Sequence, residues 1–314
     1  MLVVKFVWPL FIWIGAILAV LHVLYLPNAA GTDSAGGMSV DHFIVREQVE
    51  RSTRVKSDIA LLGDSSCLMG LSPKDMPNKL GSIESFCTLA YVGPTGYALM
   101  LEQMLDVRTE PETLVLVFNP VQFRPEPSWS DWDSYVTPPT TPHAPTHVFP
   151  FSGLEFLRVE GLNRLIFSPL PGAYGRYYGS ATKFRETIDQ NAGSAVDPNL
   201  TGRGTDTASS FVMNAEYLNS LDRLRDALDG FGSSKVYLVI SPVPDPLTTD
   251  LVDERDKSAM VLASRLGLAP GQILTSPAVM ASGLFATETH LGPEGKAEFT
   301  RMIGAELLRV LARE

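Results

Sequence analysis

Two short stretches of this chain carry residue types that can do nucleophilic chemistry. The first, Gly63-Asp64-Ser65-Ser66, follows the apolar run Ile59-Ala60-Leu61-Leu62 and precedes Leu68, Met69 and Leu71. Four apolar residues ending at a Gly read as a buried strand, and the Asp/Ser cluster reads as the turn into a helix. A hydroxyl at a helix N-terminus lies among free backbone N–H groups and partial positive charge. That is the donor set an oxyanion needs when a serine attacks an ester carbonyl. Ser65 is therefore the candidate nucleophile, with Asp64 and Ser66 beside it as candidate substrate contacts. The same tetrapeptide also reads as an ordinary turn with an N-cap. The second stretch, Glu288-Thr289-His290-Leu291-Gly292-Pro293-Glu294-Gly295, again lies just before a helix. His290 is one of 5 histidines in the chain, and a serine nucleophile needs a base that takes its proton. Residues so distant in sequence meet only if a sheet brings their loops to one edge. A surface turn histidine is the alternative reading.

Together the two stretches resemble the SGNH (GDSL-type) hydrolase superfamily. There the nucleophilic Ser occupies a Gly-Asp-Ser turn after the first strand, and the His a C-terminal loop followed by Leu or Trp, a Gly and the last helix. The resemblance implies a three-layer, flavodoxin-like α/β fold with a central parallel sheet, and serine acyl-transfer chemistry without a cofactor. It also implies an oxyanion hole built from Ser65, Gly93 and Asn119, although the family's Gly-x-Asn-Asp is replaced here by Phe118-Asn119-Pro120. Gly93 reads equally as part of a Gly-Pro turn capped by Thr95, and Asn-Pro is a common strand terminator. Most members carry Asp-x-x-His, which would put the acid at Thr287, and a Thr cannot stabilise an imidazolium. A branch resembling alginate and other exopolysaccharide O-acetylation proteins has Asp-x-His, which becomes Glu288-Thr289-His290-Leu291 in this sequence. Glu288 is thus expected to orient the ring of His290. That branch has a single N-terminal anchor and works beside a multi-pass membrane acyltransferase. A polysaccharide acceptor and such a partner are therefore expected, with an acetyl esterase or a non-catalytic scaffold as the alternatives.

The elements that must position these residues alternate along the chain. Apolar strand patterns are expected at 59–62, 85–91, 113–118 and 235–240, and helical patterns at 97–105, 215–228, 253–266 and 294–312. The mostly polar stretch 46–54 reads as a short, half-exposed helix. Such alternation indicates a parallel sheet covered on both faces, whose sites lie beyond the C-terminal ends of the strands. Ser65, Gly93, Asn119 and the Ser241-Pro242 loop all follow strands in this way.

Outside that frame, residues 6–26 are apolar except for His22, a length of about 20 residues that matches a bilayer-spanning helix. An uncleaved signal-anchor over 1–27 is expected, with a cleaved signal peptide as the rival. Lys5 before the span, and Asp33 and Asp41 after it, place the body outside the cytoplasm on a single-pass anchor. Residues 28–40 read as a flexible linker and 41–314 as the catalytic domain, interrupted at about 122–215 by an insertion rich in Pro, Thr, Ser and aromatics. Within it Trp129 and Trp132 can stack on sugar rings or simply pin the loop, and helices are expected at 154–167 and 174–188. His143 and His147 have no Cys or carboxylate beside them, so no metal site is assigned. Cys67 and Cys87 permit one disulfide in an oxidising compartment, but the reading favours two buried thiols. The net charge of -10 argues against a nucleic-acid partner.

Overall fold

The computed structural model describes residues 13–15, 40–88, 92–123, 172–179, 181–198, 210–232 and 235–313. The chain divides into two compact units, Met1–Phe43 with Phe151–Phe184, and Ile44–Pro150 with Arg185–Glu314. Its elements in order are α1 (Val40–Ser52), β1 (Ile59–Gly63), α2 (Ser65–Gly70), β2 (Ile83–Ser85), α3 (Gly93–Val107) and β3 (Thr113–Phe118). They continue with α4 (Gly172–Tyr178), α5 (Ala181–Gln190), α6 (Ala215–Gly230), β4 (Val236–Ile240), β5 (Val243–Pro244), α7 (Thr249–Arg265), β6 (Val279–Met280) and α8 (Pro293–Leu311).

In the second unit a four-stranded parallel sheet runs in the order β2-β1-β3-β4. This is the mixed α/β architecture with a central parallel sheet that the alternation of patterns predicts, and it is compatible with a flavodoxin-like fold. Every residue of β1, β3 and β4 is buried, which is why these strands read as continuous apolar runs rather than alternating ones. The chain leaves β1 toward β2 on one side, then returns past β1 to β3 on the other. The direction of connection therefore reverses at β1. The crevice beyond the C-terminal ends of β1 and β3 is the topological switch point, where sheets of this kind hold their sites.

Gly63 closes β1 opposite Val117. A Cβ there would collide with the Val117 carbonyl oxygen and lie 3.1 Å from the Cys67 Cβ, so a glycine lets the chain turn directly into α2. Phe86 and Thr88 donate from their amides to the carbonyls of Leu61 and Gly63, each at 2.8 Å, and so continue the hydrogen bonding of β2 past its end. That continuation sets Cys87 against the first turn of α2. Cys67 and Cys87 are joined as a disulfide, with Cα atoms 5.7 Å apart, which corrects the expectation of two separate thiols.

Further elements differ from their sequence patterns: the strand expected at 85–91 is Ile83–Ser85, and the helix expected at 253–266 is Thr249–Arg265. Helix α3 begins at Gly93 rather than 97, because Pro94 is suited to the first turn of a helix, where its missing N–H has no role. The expected single helix at 174–188 is two helices, separated at Gly179 with φ 82°. Within the first unit, Tyr174 stacks on Tyr178 at 6.0 Å between ring centroids, and Phe184 approaches Tyr178 at 4.4 Å. Within the polar stretch 46–54, Glu47, Gln48, Arg51 and Ser52 are buried, while Glu50 and Thr53 are half-buried and Arg54 is exposed. Among the described residues no helix is long and apolar enough to cross a membrane. The expected span 6–26, apart from the helical turn 13–15, lies outside the described residues. So do Trp129, Trp132, His143, His147 and the expected helix 154–167.

Candidate active site

Ser65 is the first residue of α2, directly beyond β1. Its hydroxyl lies 2.8 Å from His290 Nε2, and His290 Nδ1 lies 2.5 Å from Asp197 Oδ2. In the tautomer that carries its proton on Nδ1, the Asp197 carboxylate accepts from Nδ1–H and Nε2 accepts from the Ser65 hydroxyl. The serine and the carboxylate are almost enclosed, at 5 % and 2 % exposure, while the His290 side chain keeps 18 %. As the leading residue of a helix, Ser65 carries a backbone N–H with no intrahelical acceptor, available to an oxygen bound above it.

Asp64 fixes this turn. Its Oδ1 accepts from the Ser66 amide at 2.8 Å and the Ser66 hydroxyl at 2.6 Å, and its Oδ2 accepts from the Asn119 amide at 2.8 Å. Burial pushes the Asp64 carboxyl up from its ordinary value, and these donors pull the other way. The Ser66 hydroxyl also meets the Ser241 hydroxyl at 2.7 Å, so the ends of β1, β3 and β4 are joined through one polar cluster. Asp64 and Ser66, the expected substrate contacts, are buried at 2 % and 4 % exposure and hydrogen-bonded within this cluster.

His290 is held by its own loop. The Ala286 amide donates to the His290 carbonyl at 2.8 Å, and Thr287 Oγ1 accepts from the His290 amide at 3.1 Å. Thr287 therefore organises the turn at the position where most members of the resembled family carry the acid. Asn119 stands at the end of β3 as expected, and its Nδ2 donates to the Thr289 carbonyl at 3.4 Å, while its Oδ1 caps Val121 at 2.9 Å. Gly93 is buried at the start of α3 with φ 58°.

The acid arrives from elsewhere. Glu288 was the residue expected at Nδ1, and that place is filled by Asp197. The segment bearing Asp197 follows α5 and is tied on three sides. Ala192 accepts from the Ser85 amide at 2.8 Å, Gly193 accepts from Gln48 Nε2 at 2.7 Å, and the Ala195 amide donates to the Leu68 carbonyl at 3.1 Å. Gly193 has φ +86°, and a Cβ there would run into the Ser85 carbonyl. Gly193→Ala is accordingly expected to destabilise the fold by about 2 kcal/mol, measured as a lower urea midpoint; an unchanged midpoint would mean that the segment is free to shift.

Local sequence offers no signal that singles out Asp197 among the 35 acidic residues of the chain. It lies within the stretch read as an insertion, and only the small residues Gly193, Ser194 and Ala195 before it hint at burial. Comparison of the chain with protein-family models, with curated proteins and with solved structures gave no significant match.

Proposed function

We propose that this chain is a serine acyl-transfer enzyme of SGNH type, with the three-layer fold of that superfamily, and that Ser65, His290 and Asp197 form its catalytic triad. The observation that carries this reading is the unbroken series of two hydrogen bonds, 2.8 Å from Ser65 Oγ to His290 Nε2 and 2.5 Å from His290 Nδ1 to Asp197. In the first step the Ser65 hydroxyl attacks the ester carbonyl and its proton passes to Nε2. The tetrahedral oxyanion then collapses to acyl-Ser65, and the leaving alcohol takes that proton. In the second step an acceptor hydroxyl gives its proton to Nε2 and attacks the acyl carbon, releasing Ser65 with its hydroxyl restored.

The acceptor we favour is a hydroxyl of a cell-surface or secreted polysaccharide, with acetyl as the acyl group. The apolar segment 6–26 would anchor the protein in the membrane with its body outside the cytoplasm, where a multi-pass acyltransferase would supply the acyl group. This part rests on the resemblance of the two motif stretches and on that segment. Water as acceptor makes the same site an esterase. The scaffold reading loses its motive, because it depended on a dyad without an acid.

The test is covalent. Full-length protein in detergent is expected to take up a fluorophosphonate probe at Ser65 and to release p-nitrophenol from p-nitrophenyl acetate, with both signals lost in Ser65→Ala. Adding acetylated donor and oligosaccharides then separates acetylated glycan from free acetate. Absence of probe at Ser65 in the unsubstituted protein would sink the proposal.

A further inference from the structure

We propose that Lys296 is a positioning residue, which holds Asp197 on His290 by clamping the acid-bearing segment between the helices that follow the nucleophile and the base. The inference rests on the acyl-transfer reading of the site.

Lys296 lies in the first turns of α8, six residues after His290, and is only 8 % exposed. Its Nζ donates to Ser194 Oγ and, at 2.7 Å, to the Ala195 carbonyl. Ser194 Oγ donates in turn to the Leu71 carbonyl at 2.7 Å, at the end of α2, and the Ala195 amide donates to Leu68 within it at 3.1 Å. The amino group thus ties α8, which follows His290, to the acid-bearing segment, and Ser194 and Ala195 of that segment in turn bond α2, which begins at Ser65. Asp197 comes two residues after Ala195, so a shift of that carbonyl moves the carboxylate with it.

Burying an ammonium is unfavourable, and here burial pulls Lys296 down to about 8, against the opposing attraction of Asp75. A Met of similar length would fill the same space without that desolvation cost. What the lysine adds is direction, in the form of donors aimed at two adjacent residues of one segment. A second Ser–Lys nucleophile is ruled out by access, because Ser194 is 1 % exposed and its hydroxyl is committed to Leu71.

The experiment compares Lys296→Met and Ser194→Ala in the full chain, alone and combined with Asp197→Asn. In Lys296→Met, kcat for p-nitrophenyl acetate is expected to fall about 10- to 100-fold with little change in KM. In the Asp197→Asn background the same substitution should cost no more than about twofold, since residues that act as a unit are not additive. Ser194→Ala keeps the volume and should move in the same direction by less; it carries the test if the lysine variant does not fold. A second readout needs no activity. The strongly deshielded proton on His290 Nδ1 should be visible by NMR in the unsubstituted protein, and shifted or broadened in Lys296→Met. An unchanged resonance, or an equal loss of kcat in both backgrounds, would overturn the proposal. Lack of turnover in the unsubstituted protein counts instead against the acyl-transfer reading, and the resonance still decides the role of Lys296.

Discussion

On the acyl-transfer proposal, Asp197→Asn is expected to lower kcat/KM for ester cleavage by roughly 10⁴-fold, while Glu288→Gln stays within about twofold of the unsubstituted protein. The reason is the tautomer. A carboxylate at Nδ1 accepts its proton and leaves Nε2 as a base toward Ser65, and it stabilises the imidazolium formed when that base takes the serine proton. An amide supplies neither full negative charge nor a fixed acceptor, and its NH₂ can donate to Nδ1 and so drive the proton to Nε2. There it cannot accept from Ser65, 2.8 Å away. Because the Asp197 side chain is only 3 % exposed, solvent does not replace its charge. Parallel kinetics on the two variants check this. A larger loss in Glu288→Gln than in Asp197→Asn would return the orienting role to Glu288.

Arg51→Met is expected to destabilise the protein by about 3 kcal/mol, because it removes a buried cation from between two carboxylates. Arg51 is 2 % exposed, with Nη1 2.6 Å from Asp189 and Nη2 bonded to Glu84. Those partners, Glu84 at 22 % and Asp189 at 38 % exposure, retain some water, which holds the expected loss at the lower end for a broken buried pair. The guanidinium also stands 6.0 Å from the centre of the Phe86 ring. This cluster matters to the site because Glu84 is in β2 and Asp189 is in the last turn of α5, four residues before Gly193. Arg51 thus holds the start of the acid-bearing segment against the edge of the sheet, as Lys296 holds its far side. Urea denaturation measures the change, and slower probe uptake at Ser65 should accompany it. A loss under about 1 kcal/mol would place the cluster among solvated surface pairs.

The sequence by itself marked Ser65 and His290 as a candidate pair, through the resemblance of two motif stretches, because each stands in a turn whose requirements are local. A buried strand, a glycine that permits close approach to β3, and an N-cap acid must all fall within a few residues of the nucleophile. The same locality made β1, β3, β4 and α6 legible, since burial on both strand faces or on one helix stripe writes itself into a short window. The acid has no such window. It must only deliver a carboxylate to one point in space, and Asp197 does so from 93 residues away, through bonds from residues 192–195 to α2, β2 and the Gln48 side chain of α1, at which only the small residues before it hint. The polar helix α1 looked solvated for the same reason: its partners Glu84, Arg185 and Asp189 are distant in sequence. The pairing of Cys67 with Cys87 likewise needed the β1–β2 register. Tertiary structure alone decided which carboxylate stands at His290 Nδ1, because that choice is made by the packing of segments rather than by the residues that flank it.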